Sequence, residues 1–274
     1  MVSKGENKKK MMTLEHCYAK QEKRLGNHQR IEILNTVIDV LDMQQTVALV
    51  EQYVDQKVPL HLIGVNADKI NALYENEQLK QIVNSCGIIN ADGASVILAS
   101  KFLGQPLPER VAGIDLMMEL VKKAEEKEYG IYLLGAKEEV VQQTAVNLLE
   151  QFPKLQIRGI RNGYFKESDW DTVSAEIKAA KPDIVFVGIT SPLKEYLVEF
   201  FQNDGIDSVF MGVGGSFDVI SGQISRAPMW MQKTNLEWLY RVIQEPRRLF
   251  KRYFVGNVQF IGKVLKEKRR KTKG

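Results

Sequence analysis

The run Ile88-Ile89-Asn90-Ala91-Asp92-Gly93 sets a carboxylate and a glycine directly after an apolar pair. A buried strand ends in this way at the rim of an α/β sheet, where such sheets carry their sites. Gly93 lets the backbone turn sharply or approach a ligand. Asp92 would then project from a rigid strand end into a crevice, as a candidate catalytic carboxylate. The plainer reading is that Asp92 caps a helix over Ala94–Phe102 by accepting its free N–H groups.

Other residues share that placement. Asn66 ends the apolar run Leu60–Val65, where it could hydrogen-bond a sugar or cap the next helix. Arg110 lies in an irregular segment, Gly104 to Asp115, with two prolines. Its guanidinium could clamp a phosphate in bidentate fashion or form a surface salt bridge. Gly135 ends the strand-like Tyr129–Gly135 before a helix, a weak nucleotide-binding signal. Gly212, Gly214 and Gly215 cluster after another apolar run, so that backbone N–H groups could surround an anion. GVGGSF breaks the GxGxxG fingerprint, so a dinucleotide oxidoreductase or epimerase is not supported.

The elements needed to hold these residues follow in chain order. Strands are expected at Ile31–Val40, Leu60–Asn66, Gly87–Asn90, Tyr129–Gly135, Leu155–Ile160, Ile184–Gly188 and from Ser208. Helices are expected at Met43–Asp55, Asp68–Val83, Ala94–Phe102, Asp115–Lys127, from about Lys137 to Phe152, at Trp170–Ala180 and after Thr190. The alternation makes the chain α/β with a mainly parallel sheet.

Composition narrows the classes. The 274 residues hold only two cysteines and three histidines, which argues against disulfides and a Cys/His metal cage. No apolar run approaches a membrane span, and the basic N-terminus lacks the apolar core of a secretory signal. The net charge of +4 hides an asymmetry: residues 1–30 carry +5, residues 226–274 carry +11, and residues 31–225 carry −12. Residues 1–30 are expected to be a flexible basic leader. From Ala227 onward apolar residues recur at helical spacing, interleaved with Arg241, Arg247, Arg248, Lys251 and Arg252. Such an arm suits an anionic membrane surface, or a helix packed on the body with a solvated basic face. No nucleic-acid-binding signature accompanies the charge.

The long string Gly212–Pro228, followed by Asn235-Leu-Glu-Trp-Leu-Tyr-Arg241 and Glu245-Pro-Arg-Arg248, resembles the WecG/TagA/CpsF glycosyltransferases. So do Asn90-Ala-Asp-Gly93, Arg110-Val-Ala-Gly113, Leu133-Leu-Gly-Ala136 and Gly163-Tyr-Phe165. The resemblance covers roughly Ile31 to Tyr253. It implies an α/β, Rossmann-like, mainly parallel sheet with helices on both faces and a C-terminal helical basic appendage. The expected division is a leader at 1–30, a catalytic core at 31–226 and a membrane-binding appendage at 227–274.

The resemblance also implies an inverting glycosyltransferase that needs neither metal nor cofactor. The donor would be a UDP-sugar, of the N-acetylmannosamine type or related, and the acceptor a polyprenyl-diphosphate-linked sugar. The setting would be cell-surface polysaccharide or teichoic acid synthesis, on the cytoplasmic face of the bacterial plasma membrane, as a peripheral protein. Asp92 would be the general base, and Arg241, Arg247 or Arg248, and Arg252 would pair with diphosphate. Asn90 and Asp218 lie within the shared motifs. Two positions depart from the family pattern: Gly64 stands where many members have Thr, and Pro192-Leu-Lys194-Glu where many have Pro-Lys-Gln-Glu. Lys194 could pair with a carboxylate or phosphate, or lie on the surface. The alternatives are therefore a UDP-uronic acid or UDP-hexose transferase of capsule or exopolysaccharide synthesis, and a non-catalytic lipid- or nucleotide-binding module. Aromatic residues of the arm could also be covered by a second subunit, which makes a homo-oligomer a further expectation.

Overall fold

A computed structural model describes residues 24–234, 236–244 and 246–273; for Lys233, residues 247–253 and Lys273 it describes the backbone alone. Among them is a six-stranded parallel sheet of β3 (Leu60–Val65), β4 (Ile88–Ala91), β5 (Gly130–Gly135), β6 (Gln156–Arg161), β7 (Ile184–Gly188) and β8 (Val209–Gly212). Their order is β4-β3-β8-β7-β5-β6. Five of these strands are mostly apolar runs buried on both sides, as a helix-covered parallel sheet requires, while the edge strand β6 is more polar and more exposed.

One face is covered by α1 (Met43–Asp55), α5 (Gly113–Lys127) and α6 (Glu138–Gln151), whose Val50, Leu120 and Val141 pack on Leu62, Ile131 and Phe186. The other face carries α2 (Ala67–Glu75), α3 (Glu77–Ser85) and α4 (Ala94–Phe102) over β3 and β4. Beside them α7 (Trp170–Ala180) and α8 (Leu193–Asn203) lie over β5, β7 and β8. The expected Rossmann-like architecture is thus present.

Three boundaries differ from expectation. The single strand at Ile31–Val40 is a hairpin, β1 (Arg30–Ile33) with β2 (Thr36–Asp39), outside the main sheet. Leu34 and Asn35 both take positive φ, the turn geometry that suits hairpin twist. Leu seldom adopts that conformation, so the sequence carried no turn signal there. The helix expected over Asp68–Val83 breaks at Asn76, which is extended and whose Oδ1 accepts the Leu79 amide at 2.9 Å to start α3. After β8, Ser216–Ile220 forms a short helix, α9, so Asp218 is helical rather than part of the glycine loop.

The hairpin covers the outer edge of β4. Asp39, fully buried, accepts the Ile89 amide at 2.6 Å, while Arg30 donates to the Cys86 and Gly87 carbonyls. Arg24, His28 and Arg30 all reach Asp39 Oδ1 within 2.6–2.7 Å. Burial pushes the Asp39 carboxyl up, but His28 and Arg30 outweigh it and hold it below the ordinary range. Of the expected leader, residues 1–23 lie outside the described residues. Residues 24–30 are bound to the body, because a buried carboxylate needs cationic partners.

The C-terminal arm continues as α10 (Met229–Lys233), α11 (Glu237–Gln244) and α12 (Pro246–Lys273). Phe260, 1% exposed, and Val264 sink into the same core cluster as Ile31, Ile33 and Leu73. Asn71 of α2 donates to the Gly256 carbonyl at 2.7 Å and accepts from Lys263 at 2.9 Å. Glu267 accepts the Leu34 amide at 3.0 Å. The packed-helix reading therefore holds for one face of α12. The opposite face leaves Phe254, Val258, Ile261 and Leu265 exposed at helical spacing. Replacing Phe260 by Ala should weaken arm docking by about 3 kcal/mol, the cost of a buried aromatic cavity. Hydrogen exchange over residues 256–267 is expected to speed up while amides of β5 and β7 stay protected.

Candidate active site

The C-terminal ends of the parallel strands form one rim, and most of the residues singled out from sequence stand on it. At β4, the Asp92 and Gly93 amides both donate to the Val65 carbonyl of β3, at 2.9 and 3.3 Å. The Val111 amide reaches the Ala91 carbonyl at 2.9 Å. Asp92 is thus held by backbone from two neighbours. Its Oδ1 accepts the Gly113 amide at 3.1 Å, the first N–H of α5. The expected cap on Ala94–Phe102 is absent: Gly93 is the N-cap of α4 and no side chain bonds there. The carboxylate caps a different helix, because the chain returns through the Gly104–Ala112 loop to place α5 in front of it.

Two glycines give Asp92 its room. A Cβ on Gly64 would lie 3.0 Å from the Asp92 Cβ, and one on Gly93 would lie 2.8 Å from the Asn66 Cβ. Asp92 and Asn66 therefore stand side by side. Asn66 caps α2 through Oδ1, which accepts the Lys69 amide at 2.9 Å. Asn90, in contrast, is 2% exposed and turned into the core, where its Oδ1 lies 3.4 Å from Thr46 Oγ1. It shares the side of Ile88 and Asp92 but lies deeper along β4, under α1, and so supports the strand from behind the rim.

Arg110 reaches the site on the loop before α5, and Arg241 reaches it from α11. Arg110 donates to Glu237 of α11 at 2.9 Å. Arg226 lies 2.6 Å from Asp115 and 3.6 Å from the other oxygen of Glu237. Burial raises the Asp92 carboxyl above its ordinary range. Arg110, the Gly113 amide and Arg241 pull it down without prevailing, and Glu237 adds to the rise. A carboxylate raised in this way is a stronger base once ionised.

Further along the rim Lys194 lies over Gly212: a Cβ on Gly212 would meet Lys194 Cε at 2.9 Å. Lys194 is therefore not a surface residue. Beneath it Lys69 bonds Glu195, and donates to Ser191 Oγ at 2.7 Å. Burial, aided by Lys194 and opposed by Glu195, brings Lys69 down to about 8. Burial raises Glu195, but Lys194 and Lys69 together hold it below the ordinary range. At β5 and β7, Gly135 and Gly188 touch through backbone; a Cβ on Gly135 would lie 2.5 Å from the Gly188 carbonyl. The chain leaves β5 toward β6 and β7 toward β8, on opposite sides, so a crevice opens between them. Gly214, at positive φ, and Gly215 turn the chain from β8 into α9, which carries Asp218. Arg247, Arg248 and Arg252 lie on α12, and their side chains are outside the described residues.

A family model for the WecG/TagA/CpsF glycosyl transferases matches residues 31–274. The chain belongs to that family. It is 34% identical over 223 residues to the N-acetylglucosaminyldiphosphoundecaprenol N-acetyl-beta-D-mannosaminyltransferase of Bacillus subtilis strain 168, covering 81% of this chain and 86% of the relative. The protein of the same name from Bacillus spizizenii is 33% identical over 221 residues, with 81% and 84% covered. That from Staphylococcus aureus strain MW2 is 32% identical over 251 residues, with 89% and 96% covered. This WecG/TagA/CpsF member is accordingly a glycosyltransferase.

The sequence reading did not single out Glu237, Arg226, Asp115 or the Lys69–Glu195 pair as site residues. Glu237 and Arg226 stood inside the quoted motif string, but only folding shows that they meet.

Proposed function

We propose that the protein transfers a sugar of the N-acetylmannosamine type, or a relative of it, from a UDP-sugar to a polyprenyl-diphosphate-linked sugar. The observation that carries this reading is Asp92, a raised carboxylate fixed on the sheet rim beside Asn66 and under Arg110 and Arg241. The names of the relatives support the donor and acceptor classes.

In this reading the acceptor hydroxyl sits within reach of Asp92 Oδ2. Asp92 takes its proton as the hydroxyl oxygen attacks the anomeric carbon from the face opposite UDP, inverting that centre. Negative charge builds on the departing diphosphate. Arg110, Arg241 and backbone amides around Gly212–Gly215 are suited to stabilise it. A donor carrying a carboxylate is a second reading, favoured by the Lys194 ammonium on the rim beside Gly212.

The test is UDP release from a panel of UDP-N-acetylmannosamine, UDP-N-acetylglucosamine, UDP-glucose and a UDP-uronic acid, with a short polyprenyl-diphosphate-GlcNAc acceptor. Acceptor-dependent release with one donor is expected, and Asp92→Asn should lower it about a hundredfold or more. Asp92 works only when ionised. Its raised proton affinity therefore predicts that kcat/KM falls as pH drops through a value above the ordinary carboxylate range, a limb missing in the variant. Full turnover in Asp92→Asn would remove the residue from the mechanism.

The arm is assigned to an anionic membrane surface. The exposed stripe Phe254, Val258, Ile261 and Leu265 lies on a helix that also carries Lys266, Arg269, Arg270 and Lys271. Among the described residues no helix is long and apolar enough to cross a membrane, so the contact would be peripheral. Ile261→Asp with Val258→Asp should abolish co-sedimentation with vesicles containing phosphatidylglycerol. Undiminished binding would place the membrane contact elsewhere.

A further inference from the structure

Glu237 is an acidic residue where the surroundings are built to receive anions. It begins α11, is 8% exposed, and engages a different arginine with each carboxylate oxygen: Oε2 lies 2.9 Å from Arg110 and Oε1 3.6 Å from Arg226. Arg226 in turn reaches Asp115 at 2.6 Å, on the helix whose first amide Asp92 accepts. Charges thus alternate from Arg110 through Glu237 and Arg226 to Asp115. The network joins the Arg110 loop, the segment before α10, α11 and α5 beside Asp92.

Arg110 stands on the loop that Val111 ties to the Ala91 carbonyl at 2.9 Å and Gly113 ties to Asp92 Oδ1 at 3.1 Å, so its charge lies beside Asp92. A guanidinium offers five donors in a planar fork and pairs bidentately with any carboxylate it can reach. Two carboxylates therefore compete for it, Asp92 and Glu237. A carboxylate locked in such a pair is a poor base, because the ion pair stabilises its charged form. We propose that Glu237 is a positioning residue of the transfer reaction: by holding Arg110 and Arg226 it keeps a guanidinium from collapsing onto Asp92. This rests on the reading of Asp92 as the base. The groups that face Asp92 are Arg110 from the loop, Arg241 and Glu237 from α11, and the Gly113 amide from α5; β3 contributes the uncharged Gly64 and Asn66.

The full chain is tested as wild type, Glu237→Gln and Glu237→Asp. Two readouts are taken: the pH profile of acceptor-dependent UDP release, and the carboxyl titration of Asp92 by carbon NMR, its signal assigned with Asp92→Asn. In Glu237→Gln the acid limb and the NMR midpoint should both move to lower pH, and kcat should fall about tenfold or more. Glu237→Asp keeps the charge and should restore both toward wild type. Because Glu237→Gln leaves Arg110 without its partner and could disturb folding, the double variant Arg110→Gln, Glu237→Gln removes the pair together. Its Asp92 midpoint should not drop below that of wild type, since no guanidinium is freed. An unmoved midpoint in folded Glu237→Gln, no rescue by Asp, or a drop in the double variant as large as in the single one would overturn the proposal. If the wild type releases no UDP with any acceptor, the transferase reading fails on its own, and the NMR midpoints still decide the role of Glu237.

Discussion

The site depends on how a carboxylate is held without being neutralised. Asp92 is fixed at its root by backbone: its own amide and that of Gly93 share the Val65 carbonyl, and the Ala91 carbonyl takes the Val111 amide. Among the described residues the Gly113 amide reaches its side chain, at Oδ1. These bonds immobilise the strand end. Burial then works on a group whose neighbour Arg110 is held by Glu237, and its proton affinity rises. Asp39, only a few residues from the same strand, shows the opposite outcome. It is buried and meets Arg24, His28 and Arg30 directly, and its proton affinity falls. The two carboxylates differ in their direct cationic partners, which separates a structural anchor from a candidate base.

The arm ties chemistry to location. Its last helix has two apolar faces. One, with Phe260 and Val264, is consumed by the core beside the hairpin; the other, with Val258, Ile261 and Leu265, is exposed. The preceding helix brings Glu237 to Arg110, on the loop beside Asp92. A helix docked on the body from Gly256 to Glu267, with an exposed apolar stripe, is suited to hold the rim near a lipid-linked acceptor. The buried Lys69–Glu195 pair beside Lys194 stiffens the adjacent stretch of rim. Replacing either partner would strand a charge, so the pair constrains what the rim can become.

Much of this was legible in the amino-acid order. Apolar runs with β-branched residues mark β3, β5 and β7, and their ends carry Asn66, Gly135 and Gly188 where the sheet has its rim. The helix Met43–Asp55 follows from periodicity, and Ala94–Phe102 and Trp170–Ala180 have the expected bounds. The motif string from Gly212 to Arg248 carries the family resemblance without any tertiary contact. These features are local or strictly patterned, and local pattern survives in sequence.

What only the tertiary structure decided concerns pairs distant in the chain. Asp92 caps α5, 21 residues on, rather than the helix beside it. Arg110 and Glu237 are 127 residues apart and meet because the arm folds back over the rim. Asn90 shares a motif and a strand side with Asp92 yet is buried, since it lies within β4 under α1 while the carboxylate lies beyond the strand end. The hairpin at Arg30–Asp39 rests on Leu34 adopting a conformation that its residue type disfavours, stabilised by burial and by Glu267 from the far end of the chain. Sequence determined which residue types stand at the ends of strands. Which charge meets which was set by packing, because electrostatic and hydrogen-bond partners are chosen by distance in space, and spacing along the chain carries no record of it.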